Sequence, residues 1–116
     1  MNAGTVSGTL SYLLRMALPP NAVIEVQLED VTLADAPVKV IAEERITLGE
    51  RQVPVTFELK YDPAKIEAKH KYAVSARILV DGELRFINDQ AYPVLTEGKP
   101  SYVEIILKQV RTAGPK

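Results

Sequence analysis

The sequence predicts an all-β fold, a roughly seven-stranded antiparallel β-sandwich of immunoglobulin-like or prealbumin-like type. Three observations carry that prediction. Apolar residues recur with period two along separate stretches of the chain, which is the spacing of half-buried strands. Pro, Gly and Asp signals fall between those stretches. One segment, YDPAKIEAK, breaks the β pattern just ahead of Tyr72, as the corner of such a sandwich would.

The strands follow in order. TVSGTLSYLL sets Val6, Leu10 and Tyr12 on one face with Gly8, and Thr5, Ser7, Thr9 and Ser11 on the other. In LPPNAVIEVQLED, Pro19 and Pro20 lack the N–H a ladder needs, so they end the first strand's pairing. Ile24, Val26 and Leu28 then alternate with Glu25, Gln27 and Glu29. VKVIAEERI puts Val38 and Val40 on the apolar side, and Glu43, Glu44 and Arg45 blur the pattern toward helix. QVPVTFELKY aligns Val53, Val55, Phe57, Leu59 and Tyr61, with Pro54 marking an edge strand or bulge. KYAVSARILV aligns Tyr72, Val74, Ala76, Ile78 and Val80, and ELRFIND contributes Leu84 and Phe86. SYVEIILKQV is apolar at both parities, which suits a strand buried on both sides.

Two junctions can be read more finely. Asp81-Gly82 is a hairpin signal. A two-residue loop would put the apolar sets of its strands on opposite faces. The expected solution is the loop Val80-Asp81-Gly82, with Leu79 opposite Glu83, Ile78 opposite Leu84, Ala76 opposite Phe86, and Gly82 left-handed in a bulge. Asp62 can cap and Pro63 can start a short helical turn near 63–68. Tyr72, six residues after Ile66, has the spacing of a tyrosine corner, with its hydroxyl bonding backbone between Pro63 and Lys69.

The 116 residues correspond to a single domain, 1–116, with an ordered core of about 5–110 and a frayed tail RTAGPK. The formal net charge is −1, from 14 basic and 15 acidic residues, and the basic ones are scattered, so nothing suggests a nucleic-acid footprint. The chain has no Cys, which excludes a disulfide scaffold and a thiolate metal site. No apolar run approaches the ~20 residues of a membrane-spanning helix, and MNAGTVSGTL lacks the basic and apolar regions of a signal peptide. The protein is then cytoplasmic, or this chain is a processed form.

Candidate chemistry is sparse. His70, the sole His, lies between Lys69 and Lys71 with no carboxylate near it in sequence, and reads as a solvated loop residue. Glu29, Asp30 and Asp35 could begin a site for a hard cation, but they lack an Asp-x-Asp-x-Asp spacing and equally suit turn capping. Asn88, Asp89 and Gln90 read as a turn before a binding site. Lys65, Lys69 and Lys71 form a small basic patch on a solvated face. No phosphate loop or nucleophile elbow occurs. The expectation is a non-enzyme, with no catalytic, cofactor-binding or metal-ligating residues and no cofactor.

Four segments in order, LPPNAVIEVQLEDVTLADAP, VPVTFELKYDPAKI, YAVSARILVDGELRFIND and YPVLTEGKP, resemble the YbaY-type envelope lipoproteins. That family includes the YscW-type pilotins, the lipoprotein chaperones of type III secretion. The resemblance spans about residues 5–110. It implies a small β-sandwich carried after a lipidated Cys, on the periplasmic side of the bacterial outer membrane. For pilotins it implies a secretin-like protein partner. The membrane would be met only through a lipid anchor absent from this chain. The resemblance supplies no set of site residues. A cytoplasmic β-sandwich binding a small molecule, and a metal-dependent enzyme using the acidic loop 29–35, are the alternatives.

Overall fold

The computed structural model describes residues 4–13, 17–33, 35–50, 54–88, 92–96, 98 and 100–110. The fold is all-β. The strands are β1 (Gly4–Tyr12), β2 (Val23–Asp30), β3 (Lys39–Thr47), β4 (Val55–Tyr61), β5 (Tyr72–Val80), β6 (Glu83–Asn88), β7 (Pro93–Val94) and β8 (Tyr102–Gln109), with a 3-10 turn at Pro63–Lys65. They form one sheet in the order β3-β2-β5-β6-β8-β1-β4, and the short β7 pairs with β5.

This corrects the expected antiparallel sandwich. The sheet is mixed, because β1 runs parallel to β8 while pairing antiparallel with β4. That parallel pairing joins strands that a sandwich would divide between two layers, and the sheet curls until its ends almost meet. At the remaining seam, the Glu44 carboxylate of β3 accepts a hydrogen bond from the Glu58 amide of β4 at 3.0 Å. Period-two alternation is the same for a sandwich and for a nearly closed barrel, since each has one buried face. Sequence pattern therefore could not separate them.

β3 and β4 are the sheet's two edges, and both carry features that oppose pairing with other chains. Pro54 immediately precedes β4, on the parity of Thr56 and Glu58, and has no N–H to offer. Glu44 points a charge inward at the seam. The stretch 39–47 is strand throughout, without helix.

The core collects the alternating residues of every long strand. Val6, Leu10, Ile24, Val26, Leu28 and Ile78 have no solvent exposure. Gly8 lies in β1 opposite Phe57 on one side and Val103 on the other. A Cβ there would run into the Val103 carbonyl and the Phe57 ring, so glycine lets these two strands close on β1.

Three local expectations are corrected. The β5–β6 hairpin uses the two-residue loop: Val80 faces Glu83 and Leu79 faces Leu84. Asp81 and Gly82 both have positive φ, 53° and 78°, as the turn best matched to strand twist requires. Parity is then restored one step later, because the ladder shifts between Leu79 and Ile78 and leaves Arg85 without a partner on β5, bringing Phe86 opposite Ile78. The left-handed Gly82 was expected; the bulge lies in the strand instead of the loop.

Val38 and Val40 are exposed, at 47% and 45%. A register shift between Leu28 and Glu29 leaves Ile41 without a partner, so Ala42 faces Leu28 but Val40 faces Glu29 on the outer side. β8 is buried on one face only: Val103, Ile105 and Leu107 point inward, while Tyr102 and Glu104 are exposed. Val53, Asp89, Gln90 and the tail RTAGPK lie outside the described residues.

The tyrosine corner is present. Tyr72 is buried, its hydroxyl accepts from the Glu67 amide at 2.9 Å and donates to the Lys65 carbonyl at 3.4 Å. Asp62 caps the turn through the Ala64 amide.

Candidate partner-binding face

Pairing of β2 with both β3 and β5 sets Glu25 directly opposite Arg45 on one side and Arg77 on the other. Alternation sends all three side chains to the outer face of the sheet. Arg45 Nη2 donates to Glu25 Oε2 at 2.7 Å, and Arg77 Nε donates to Oε1 at 2.6 Å. The two long side chains leave Glu25 buried on what is nominally the solvent side. The hydrogen bond from Arg77 holds the Glu25 carboxyl below its usual range; burial opposes this, and Arg45 adds to the lowering. Next along the strand, Gln27 donates to Glu43 at 2.9 Å.

Beside this row lies an open groove of about 310 Å³, lined by Glu25, Gln27, Glu29, Ser75, Arg77, Ile87 and Asn88. It forms where β6 ends: the Ala76 amide donates to the Asn88 side chain at 3.0 Å, and two residues earlier the Val74 amide donates to the Tyr92 carbonyl. The groove offers polar side chains and one partly exposed apolar residue, Ile87. That chemistry suits contact with a polypeptide surface and provides no positioned acid–base pair.

The structure disperses the expected acidic cluster. Glu29 lines the groove, Asp30 sits at the rim of the barrel, and Asp35 lies in the β2–β3 loop. Among the described residues no group of three His, Asp or Glu side chains could hold a metal ion.

The reading of His70 as lacking a carboxylate partner is overturned. Its Nδ1 lies 2.7 Å from Asp30 Oδ2, and its Nε2 lies 3.7 Å from Glu67. Asp30 also accepts hydrogen bonds from the Thr32 amide and hydroxyl. Burial works to raise the Asp30 pKa, but the bonds from Thr32 and His70 outweigh it and hold the carboxyl below its usual range. Lys71 donates its amide to the Thr32 hydroxyl, and Thr96 donates to the His70 carbonyl at 2.6 Å. These contacts clasp three loops at one end of the barrel. Asp30 is 40 residues from His70, so local sequence could not reveal the pair.

The two depressed carboxylates give a signed prediction. Each takes up protons less readily in the folded chain, so stability present above the ordinary carboxylate range is lost as pH falls through it. Urea midpoints should drop between about pH 7 and about pH 3, and Glu25→Gln should make that drop shallower. An identical pH slope in the variant would show that Glu25 is not linked to folding.

The described residues thus form a nearly closed, all-β domain with an open groove on its outer face. The family model of the type III secretion system lipoprotein chaperones (YscW) matches residues 1–107, and the chain belongs to that family. It is 41% identical over 93 residues to the uncharacterized lipoprotein YbaY of Escherichia coli (strain K12). That match covers 80% of this chain and 49% of the relative, so the chain spans about half the length of that relative. Its fold is similar to the structure of an alternative pilotin from the type II secretion system of Vibrio cholerae. The TM-score is 0.93 and the identity 46%, with 96% of this chain and 100% of the other covered.

Proposed function

We propose that the chain is the folded domain of an envelope lipoprotein that acts as a pilotin-like assembly factor. It binds a secretin-like outer-membrane protein and catalyses no reaction. The observation that carries this reading is the agreement in fold and sequence with a secretion pilotin along nearly the whole chain. Family membership points the same way, toward a lipoprotein chaperone with a protein partner; in this reading the two meet at the periplasmic side of the outer membrane. The groove on the outer face of β2 and β5 is the docking surface in this reading. It is concave, it holds the exposed Ile87 amid hydrogen-bonding side chains, and it lies away from the guarded seam between β3 and β4.

The test is co-expression of the chain with the secretin subunits encoded in the same genome, followed by affinity capture. Native chain should retain one of them. Ser75→Arg combined with Ile87→Asp should abolish retention while circular dichroism stays unchanged, and Asp35→Ala should retain the partner fully. Retention unaffected by the groove variant would move the docking surface elsewhere. No retained secretin from any system in that genome would refute the pilotin role.

A further inference from the structure

We infer that one end of the barrel rests on an anionic lipid surface, with the β2–β3 loop and the 61–71 segment against the bilayer. The inference rests on the lipoprotein part of the proposed function and is independent of the secretin partner.

Strand directions fix which parts share this end. β2 finishes there at Asp30 and β3 starts there at Lys39, since those two residues are paired. Tyr72, at the start of β5, pairs with Asp30 and with Val94. β1 starts and β4 finishes at this end too: β8 runs antiparallel to β6 and so in the direction of β5, β1 is parallel to β8, and Tyr61 at the end of β4 pairs with Gly4 at the start of β1. The Val31 amide bonds the Lys71 carbonyl at 2.8 Å, which holds the β2–β3 loop against the loop before β5.

This end exposes apolar side chains that the fold does not use. Leu33 is 67% exposed, Val38 47% and Val40 45%, all within eight residues of one another. A single exposed aliphatic residue is ordinary; Leu33 and Val38 on the β2–β3 loop, with Val40 next to it at the start of β3, are a candidate contact surface. An open groove of about 420 Å³ at the same end is lined by Tyr61, Pro63, Ile66, Ala68, Leu95 and Thr96 and offers both apolar and polar atoms. Leu95 adopts a positive φ of 74°, which an aliphatic residue rarely takes up.

Charge favours lipid over a protein occupant. Lys39, Lys65, Lys69 and Lys71 are exposed here, against exposed Asp35, Asp62 and Glu67, while Lys60 is paired with the exposed Glu58 at 3.9 Å. Lysine stems can lie along apolar surface while their ammonium groups reach phosphate, whereas the shorter acidic side chains stay closer to the backbone. Aliphatic residues rimmed by lysines match the boundary between acyl chains and anionic headgroups. Each element is weak alone, and a second membrane signal is what makes such contacts persistent. β1 begins at this same end, so a chain entering it from a lipid anchor would arrive with the surface already facing the bilayer.

The test uses the absence of cysteine from these 116 residues. Leu33→Cys, Val38→Cys and, at the opposite end, Glu83→Cys are each labelled with an environment-sensitive fluorophore. Each full chain is tethered by the same N-terminal histidine tag and flexible linker to chelator-lipid vesicles. The vesicles are phosphatidylethanolamine–phosphatidylglycerol or phosphatidylcholine, each with spin labels deep in the acyl region. At positions 33 and 38, emission should shift to the blue and quenching should be several-fold stronger than at 83. The effect should be larger on the phosphatidylglycerol vesicles. Charge reversal of Lys39, Lys69 and Lys71 to Glu should remove that preference with the tether unchanged. Equal quenching at both ends, or quenching at 33 and 38 indifferent to lipid charge and to the reversal, would overturn the inference. So would labels at 33 and 38 that ignore vesicles but respond to an added secretin, which would assign the surface to protein.

Discussion

Gly8→Ala is expected to destabilise the fold by roughly 3 kcal/mol or more, the upper range for forcing atoms into a packed interior. β1 is held on both sides, parallel to β8 and antiparallel to β4, and Gly8 sits midway along both ladders. The added Cβ meets a backbone carbonyl, that of Val103, as well as the Phe57 ring. A ring can rotate aside, but a ladder carbonyl moves only with its strand. Adding Phe57→Ala should therefore fail to rescue Gly8→Ala, whereas it would if the ring were the sole obstacle. Thr9→Ala, on the outer face next to Gly8, should stay within about 0.5 kcal/mol as a surface change. Urea midpoints of the set would decide it, and a Gly8→Ala loss under about 1 kcal/mol would mean that β8 and β1 can separate without penalty.

The same residue shows how far sequence alone could reach. Gly8 was placed correctly on the buried face by alternation, yet its role depends on β8, whose pairing with β1 joins positions about 95 residues apart. Most strand positions were legible because each long strand repeats its burial pattern locally, as in Ile24, Val26 and Leu28. The tyrosine corner was legible because both partners lie within seven residues. What was illegible depends on single-residue shifts and on distant pairs. One bulge turned Val40 outward, another left Arg85 without a partner on β5, and neither leaves a glycine or proline as a marker. The outer groove was equally hidden: Glu25 reads as a solvated strand residue until Arg45 and Arg77 are known to flank it. The local composition around His70 favoured exposure, and only the register of β2 against β5 brings Asp30 to it.

The second large effect is expected at Tyr72. Tyr72→Ala should destabilise by about 3–5 kcal/mol, the range for removing a buried aromatic side chain. Tyr72→Phe keeps the ring and removes only the hydroxyl, so it should destabilise by about 1 kcal/mol, the net value of a buried hydrogen bond. The difference separates packing from polar fixation. The ring fills the core beneath the corner, with 1% of the residue exposed. The hydroxyl holds the 65–67 backbone by accepting from the Glu67 amide and donating to the Lys65 carbonyl. Phenylalanine leaves the Glu67 amide free to turn to water, because Glu67 is itself exposed, and that recovery keeps the penalty small. The effect should also be local. In hydrogen exchange, the Glu67 amide should lose protection in Tyr72→Phe, while amides of β1 and β8 keep theirs. A Tyr72→Phe variant with unchanged midpoint and unchanged Glu67 exchange would show that the corner is held by the 3-10 turn and its Asp62 cap instead. Uniform loss of protection across β1, β5 and β8 would show that the hydroxyl supports the whole barrel and not only its corner.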